Sequence, residues 1–276
     1  MIQYLYLGRV AYDEALRLQA EVAQLLLEGR INNVLLLLEH PAVLTLGRNA
    51  NRANVLASDE LLANRGVTLH HINRGGDVTY HGPGQLIGYP IFDLRSLRTP
   101  SGNRMGPVDF VRRMEEALIR LCGCYGIRAG RVKGLTGVWC GGALDETDGP
   151  ERKIGAIGIH VARGITSHGF AFNVTTDLRD FNLIVPCGIA DHPVTSLERE
   201  MPDAGELPNL ESIAHHAAKQ FGLTFEQQVV AVENMAALRA QAAAATPAAI
   251  PAEDTPMQIP RELQRLRGVP ERPVRA

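Results

Sequence analysis

Lysine is nearly missing from this 276-residue chain. Of its 28 basic residues only Lys133, Lys153 and Lys219 are lysines, and the other 25 are arginines. A genomic coding preference for arginine accounts for the bias at large. A lysine that survives it is still a candidate for what arginine cannot do at neutral pH, which is to give up its proton. A basic excess is also absent. Against 30 acidic residues the net charge is −2, which argues against a general nucleic-acid binder. The four cysteines, Cys122, Cys124, Cys140 and Cys187, form no CxxC pair and no disulfide-like spacing. With no secretory leader in view, a reducing cytoplasm is the expected compartment. No apolar run reaches the roughly 18 residues that a membrane-spanning helix needs. What is present is ordinary for a globular protein: 45% hydrophobic and 21% charged residues. The length suits one large domain or two small ones with a real core.

Apolar spacing predicts helices over Tyr12–Arg30, Pro107–Leu121 and Asn209–Phe221. Val34–Leu38 is a solid apolar run stopped by Pro41, and reads as a buried strand. Further strands are expected at Val43–Leu46, Val67–Ile72, Leu86–Leu94, Ile127–Val132, Gly137–Cys140, Lys153–Val161 and Ile165–Val174. Arg74–Gly84 reads as a glycine-rich loop, and Asp145–Glu151 as a surface turn. The order of elements suggests an α+β fold rather than a βαβ repeat. Residues 1–235 form the expected catalytic domain, and 236–276, rich in Ala, Pro and Arg, an expected mobile extension with a possible helical start near Met235–Ala245.

Arg74–Gln85 (RGGDVTYHGPGQ) is the most unusual segment. Its glycines allow backbone shapes that side chains forbid and let main chain approach a ligand. It is neither a phosphate-binding P-loop, having no lysine, nor a GxGxxG fingerprint opening a helix. The histidines at 70, 71, 81, 160 and 168 lack HxH or HExxH spacing, and neighbours such as His70 and His71 on a strand point to opposite faces, so no metal site is expected. Cys122 and Cys140 read as packing residues. Cys187 differs, because Pro186 before it and Gly188 after it put the thiol on an open turn. A thiol that attacks a carbonyl needs such a setting, with free backbone N–H groups nearby for an oxyanion. Its ionisation needs a cation, and Lys153 opens the strand Lys153–Ile159 (KIGAIGI), whose small residues leave room for a ligand. The bland reading of Lys153 is a surface residue at a strand edge.

These motifs occur in order with two others, Glu39–Arg48 (EHPAVLTLGR) and His168–Val174 (HGFAFNV), and with Pro186–Ile189 (PCGI) ahead of Val194–Leu197 (VTSL). Together they resemble the lipoyl(octanoyl) transferases of lipoate biosynthesis, within the biotin/lipoate protein ligase-like superfamily. The resemblance runs to about Phe225. It implies a curved mixed β-sheet flanked by helices, with the site in its groove. It implies that Cys187 carries the acyl group and that Lys153 lowers the thiol pKa. Substrate binding falls on Arg74, Gly75, Gly76, Asp77, Val78, Thr79, Tyr80 and His81, on Ala156, Ile157 and Gly158, and on Gly169, Phe170 and Ala171. His160 stands where the family often has arginine, and Gly164 where some members have tryptophan, which suggests a reshaped wall of the acyl groove.

The activity so implied moves an octanoyl group from octanoyl-acyl carrier protein to a lysine of a lipoyl domain through a cysteine thioester. The acceptors implied are the lipoyl domains of 2-oxoacid dehydrogenase complexes and the glycine cleavage H protein. Neither ATP nor metal is expected, since the donor brings its own phosphopantetheine thioester. An ATP-dependent lipoate or biotin ligase of the same fold, a lipoyl-domain amidotransferase and a non-catalytic binding module are the alternatives. Cys187 speaks against the ligase, and Cys187 with Lys153 against the binding module.

Overall fold

Val34–Leu38 is apolar at every position because both of its faces are covered. In the computed structural model, which describes residues 1–186, 192–201 and 207–245, these residues lie in strand β2 (Asn33–Glu39). Leu35 and Leu37 enter one core, and Val34, Leu36 and Leu38 enter another on the opposite side. That is the period-two alternation of a strand applied to a sheet buried on both faces.

The remaining elements are β1 (Ile2–Arg9), α1 (Tyr12–Leu27), β3 (Val43–Leu46), α2 (Asp59–Asn64), β4 (Thr68–His71), β5 (Val78–His81), β6 (Gln85–Ile91), α3 (Pro107–Gly123), β7 (Ala129–Val132), β8 (Leu135–Cys140), β9 (Arg152–Ala162), β10 (Ile165–Asn173), α4 (Leu197–Glu200), α5 (Leu210–Phe225), β11 (Val229–Ala231) and α6 (Met235–Ala244). Eight strands form one mixed sheet in the order β11-β1-β2-β6-β10-β9-β8-β7, with β1 parallel to both β2 and β11. A second sheet has the order β4-β3-β5. The expectation of an α+β fold holds.

Helices α3 and α5 cover one face of the large sheet. Phe110, Met114, Leu118 and Leu121 of α3 meet Phe221 and Phe225 of α5 over Leu35, Leu86, Phe170 and Phe172. Helix α3 starts where Asp109 Oδ2 accepts the Gly106 N–H at 3.1 Å, and Pro107 occupies its first turn. Helix α1 covers the other face through Ala15, Val22 and Leu26, beside Leu36, Ile87 and Ile91. The small sheet has its own core of Leu44, Leu46, Val78, Tyr80, Phe181 and Ile184.

The structure corrects several expectations. The supposed loop Arg74–Gly84 contains strand β5, which pairs antiparallel with β3 so that its alternate residues face a core and a cavity. Strands β1 and β11 have no counterpart in the sequence expectations, because their pairing is parallel and joins segments more than 200 residues apart. Helix α6 falls where a helical start was expected, near Met235–Ala245, and its Leu238 and Ala242 are buried against the α1 side of the sheet, while residues 246–276 lie outside the described residues. An Ala-rich segment reads as low complexity, yet small residues are what a helix needs to pack closely on a sheet already lined by leucines.

Candidate active site

Strands β9 and β10 pair in a register that sets Ala156 opposite Ala171 and Gly158 opposite Gly169. Two rows of small side chains therefore face the α1 side and leave a trough where larger residues would fill the space. The cavity above it comprises about 490 Å³, part of it open to solvent, and is walled by Tyr12, Arg74, Gly75, Gly76, Asp77, Thr79, His81, Tyr89 and His168 besides the strand residues. Gly158 serves a second purpose. A Cβ there would come 2.7 Å from Gly75 O and 3.3 Å from Arg74 Cδ, so the missing side chain lets the Arg74–Gly76 chain cross the sheet. That crossing is fixed by Gly75 N–H donating to Ile159 O at 3.0 Å. Arg74 is buried, and its guanidinium donates to Thr45 O at 2.7 Å, to Thr45 Oγ1 and to Gly75 O.

Three buried imidazoles stand in or behind the polar wall beside Arg74. His40 Nδ1 lies 2.7 Å from Val10 O and so donates, which leaves Nε2 to accept from Tyr89 Oη at 2.7 Å. Burial lowers the His40 pKa to about 4. Burial, then the neighbouring His40, lowers that of His81 to about 3. Burial, then the Arg74 charge, lowers that of His168 to about 4. Tyr12 stands among these rings, 5.1 Å from His40 and His70 and 6.3 Å from His81. His168 has φ +56° in the left-handed region, uncommon for a residue with a side chain, and its Nε2 lies 2.7 Å from Asn73 Oδ1.

From His81 a directed chain of hydrogen bonds leaves the cavity. His81 Nδ1 donates to Gln85 Oε1 at 2.8 Å, Gln85 Nε2 to Asn173 Oδ1 at 2.8 Å, and Asn173 Nδ2 to Thr195 O at 2.8 Å. Thr195 is fully buried. Its N–H donates to Lys153 O at 2.9 Å and its Oγ1 to Glu200 Oε1 at 2.6 Å, while Glu200 takes Arg152 in a bidentate pair at 2.8 and 2.9 Å. Lys153 N–H in turn donates to Pro193 O at 2.9 Å. Residues 193–195 thus run beside Lys153 as a parallel bridge, just where β10 stops pairing with β9.

Lys153 is 7% exposed, which excludes the bland reading of a surface lysine. Cys187 lies outside the described residues. Its flanks are described and tethered: Val185 N–H donates to Asn54 O at 2.7 Å and Ile184 bridges Val55, while Pro193–Thr195 are bound to Lys153 and Asn173. Asp77 organises the first tether. Its Oδ1 accepts from Asn51 N at 3.0 Å and Val78 N at 2.7 Å, and its Oδ2 from Asn54 Nδ2.

Of the binding residues named from the sequence, Arg74, Gly75, Gly76, Asp77, Thr79, His81, Ala156, Ile157, Gly158, Gly169, Phe170 and Ala171 all line the cavity. Val78 and Tyr80 do not. They are the alternate residues of β5, point into the small-sheet core, and Tyr80 Oη donates to Asp180 Oδ2 at 2.7 Å. Gly164 sits in the β9–β10 turn at φ +79°, against Arg95, and is no wall of this cavity. His160 is likewise absent from the lining. Tyr12 and Tyr89 line the cavity without having been singled out. Tyr12 reads as the first residue of an amphipathic helix, and the only signal at Tyr89 is a polar tip on the buried face shared with Ile87 and Ile91. Cys122 and Cys140 are buried side by side, and contact between them with burial pushes the Cys122 thiol well up, consistent with packing residues. Among the described residues no cluster of three or more His, Cys, Asp or Glu side chains suits a metal ion, and no helix is long and apolar enough to cross a membrane.

Residues 11–222 match the family described as the lipoyl protein ligase A/B catalytic domain. An octanoyltransferase from Acidobacterium capsulatum is 57% identical over 237 residues, covering 85% of this chain and 94% of that protein. One from Koribacter versatilis is 50% identical over 266 residues, covering 96% and 97%. Among solved structures, the bipartite lipoate protein ligase of Thermoplasma acidophilum superposes with a TM-score of 0.63 at 16% identity, over 88% of this chain and 91% of that one. The last likeness concerns the fold.

Proposed function

The chain belongs to the octanoyltransferases of the lipoyl protein ligase A/B catalytic-domain family, and we propose that it moves octanoyl from octanoyl-acyl carrier protein to a lipoyl-domain lysine through Cys187 and Lys153. It does so in the reducing cytoplasm, where Cys187 stays a thiol. Its acceptors are the lipoyl domains of 2-oxoacid dehydrogenase complexes and the glycine cleavage H protein.

In the first step the Cys187 thiolate attacks the donor thioester carbonyl. The carbon–sulfur bond to phosphopantetheine breaks, and the departing thiolate takes a proton from the Lys153 ammonium. One thioester replaces another, so the step is close to neutral in free energy. In the second step the amine of the target lysine attacks the acyl-cysteine. The amide forms, Cys187 leaves as thiolate, and the neutral Lys153 amine accepts the proton released by the attacking nitrogen. Forming an amide from a thioester drives the sequence, and the ion pair is restored without ATP. Arginine cannot alternate in this way. The small-residue trough of Ala156, Gly158, Gly169 and Ala171 receives the acyl chain beneath the Arg74–Gly76 crossing.

The observation that carries this reading is the burial of Lys153 at the strand position to which Pro193–Thr195, just downstream of Cys187, are bound. The test is intact-mass analysis after mixing with octanoyl-acyl carrier protein. The expected result is one octanoyl adduct that is absent in Cys187→Ala and discharged by an apo lipoyl domain. An adduct that persists in Cys187→Ala, or octanoylation that requires ATP and releases pyrophosphate, refutes it.

A further inference from the structure

The chain has a single tryptophan, and it lies against the candidate catalytic lysine. Trp139, in β8, is fully buried and pairs with Lys153 across the β8–β9 register. Lys153 Nζ stands 4.5 Å from the centroid of its ring. Among the described residues no carboxylate and no hydrogen-bond acceptor reaches this nearly buried amine. The face of the indole is what it meets there. An ammonium removed from water needs an electrostatic partner, and the negative face of an aromatic ring is one.

The surroundings hold both partners still. At Gly137 φ is +127° and a Cβ there would come 2.6 Å from Gly155 O, so only glycine fits at this point of β8, next to the Lys153 stem. The Gly137 N–H is fixed by Oε1 of the fully buried Glu115 at 3.1 Å, and the other oxygen of that carboxylate takes Arg112 and Arg131 at 2.7 and 3.0 Å. The ring of His192 packs edge-on against the indole with centroids 5.2 Å apart, its Nδ1 near Glu151. Trp139 Nε1 has no hydrogen-bond partner among the described residues. A ring kept only for packing does not need that N–H, which costs free energy when buried unpaired; phenylalanine has none. The stronger indole face is what offsets the cost.

We propose that Trp139 is a positioning residue of acyl transfer, whose indole face holds the Lys153 ammonium where it acts on Cys187. This rests on the assignment of Cys187 and Lys153 above. The indole favours the charged amine, so it supports the ion pair at the start and end of the cycle. Because there is no other tryptophan, its emission reports directly on that amine.

The experiment has two arms. In the first, emission of the native protein is followed against pH beside Lys153→Met, with His192→Gln removing the other titratable ring that touches the indole. The expected result is a titration step in the native protein and in His192→Gln that is lost in Lys153→Met. An emission profile indifferent to Lys153→Met overturns the contact, whatever the fate of the Trp139 variants. In the second arm, single-turnover octanoylation of Cys187 and the pH midpoint of its alkylation by iodoacetamide are measured in Trp139→Phe and Trp139→Leu. Trp139→Leu is expected to lower the rate constant of the competent molecules about tenfold, with half-saturating donor within about twofold. It should also move the alkylation midpoint toward the free-thiol value of about 8.5. Trp139→Phe keeps an aromatic face and falls between. A rate constant and midpoint unchanged in both variants overturn the role of Trp139 alone. Failure of the native protein to form any adduct on Cys187 overturns the underlying reading and this role with it.

Discussion

Replacing Asn173 by aspartate removes one donated hydrogen bond and changes almost nothing else in shape. Asn173 is buried at the end of β10, accepting from Gln85 Nε2 at 2.8 Å and donating to Thr195 O at 2.8 Å. In Asn173→Asp the first bond survives and the second becomes two oxygens in contact, one of them charged. Leaving the buried Thr195 carbonyl unpaired costs about 1–3 kcal/mol, and burying the new charge adds to it. A total near 3 kcal/mol lowers the melting temperature by about 6–12 °C for a chain of this size. The pH dependence has a definite sign. Burial raises the new carboxyl above its unfolded value, so the deficit is complete at high pH and shrinks as falling pH protonates it and restores a donor to Thr195 O. The assay is thermal unfolding of variant and native protein at pH 7.5 and at pH 5, with the difference compared. Equal melting at pH 7.5, or a deficit that does not narrow at pH 5, refutes the directed chain from His81 to Thr195.

Three further outcomes follow from the site. Lys153→Arg keeps a positive charge near the thiol but cannot exchange a proton, so Cys187 is still acylated, the departing phosphopantetheine thiolate taking its proton from water, while transfer to a lipoyl domain falls by at least about a hundredfold; wild-type turnover refutes the proton-acceptor role. Ala171→Leu fills the trough opposite Ala156, so the preference for octanoyl over hexanoyl donor drops in single-turnover assays, with overpacking of about 1–3 kcal/mol; an unchanged ratio places the acyl chain elsewhere. His40, His81 and His168, held by burial at about 4, 3 and 4, stay neutral in the native protein while the unfolded chain takes up protons near 6.5. Stability therefore falls as pH drops below about 6.5, with a slope approaching about 4 kcal/mol per pH unit, and the fall ends below the native values; urea titrations at stepped pH that show no such slope refute their burial.

Much of the site was legible because its residues are close in sequence and unusual in kind. The RGGDVTYHGPGQ and KIGAIGI segments announce chain crossings and open strands through their glycines, and nearly all the residues drawn from them line one cavity. Val78 and Tyr80 show the limit. A contiguous motif names every residue, and only the alternation of β5 decides which half faces the cavity. Glu115 shows another. Nothing local marks this helix residue, and only the approach of Arg112, Arg131 and Gly137 N accounts for its full burial. Strand β11 was illegible because three residues whose partner β1 lies more than 200 residues away leave no local period to read.

The sequence by itself determined the α+β class, the three long helices α1, α3 and α5 and most strands, and the candidate chemistry of a thiol between proline and glycine and a lysine surviving an arginine bias. Those are local properties: a hydrophobic period, a backbone restriction, the proton affinity of one side chain. Only the tertiary structure decided that Lys153 is buried beside residues 193–195 and set on the face of the sole tryptophan. It alone brought His81, Gln85, Asn173 and Thr195 into one line. A lysine's meaning rests on what replaces the water around it, and that is settled by strands brought together from distant parts of the chain.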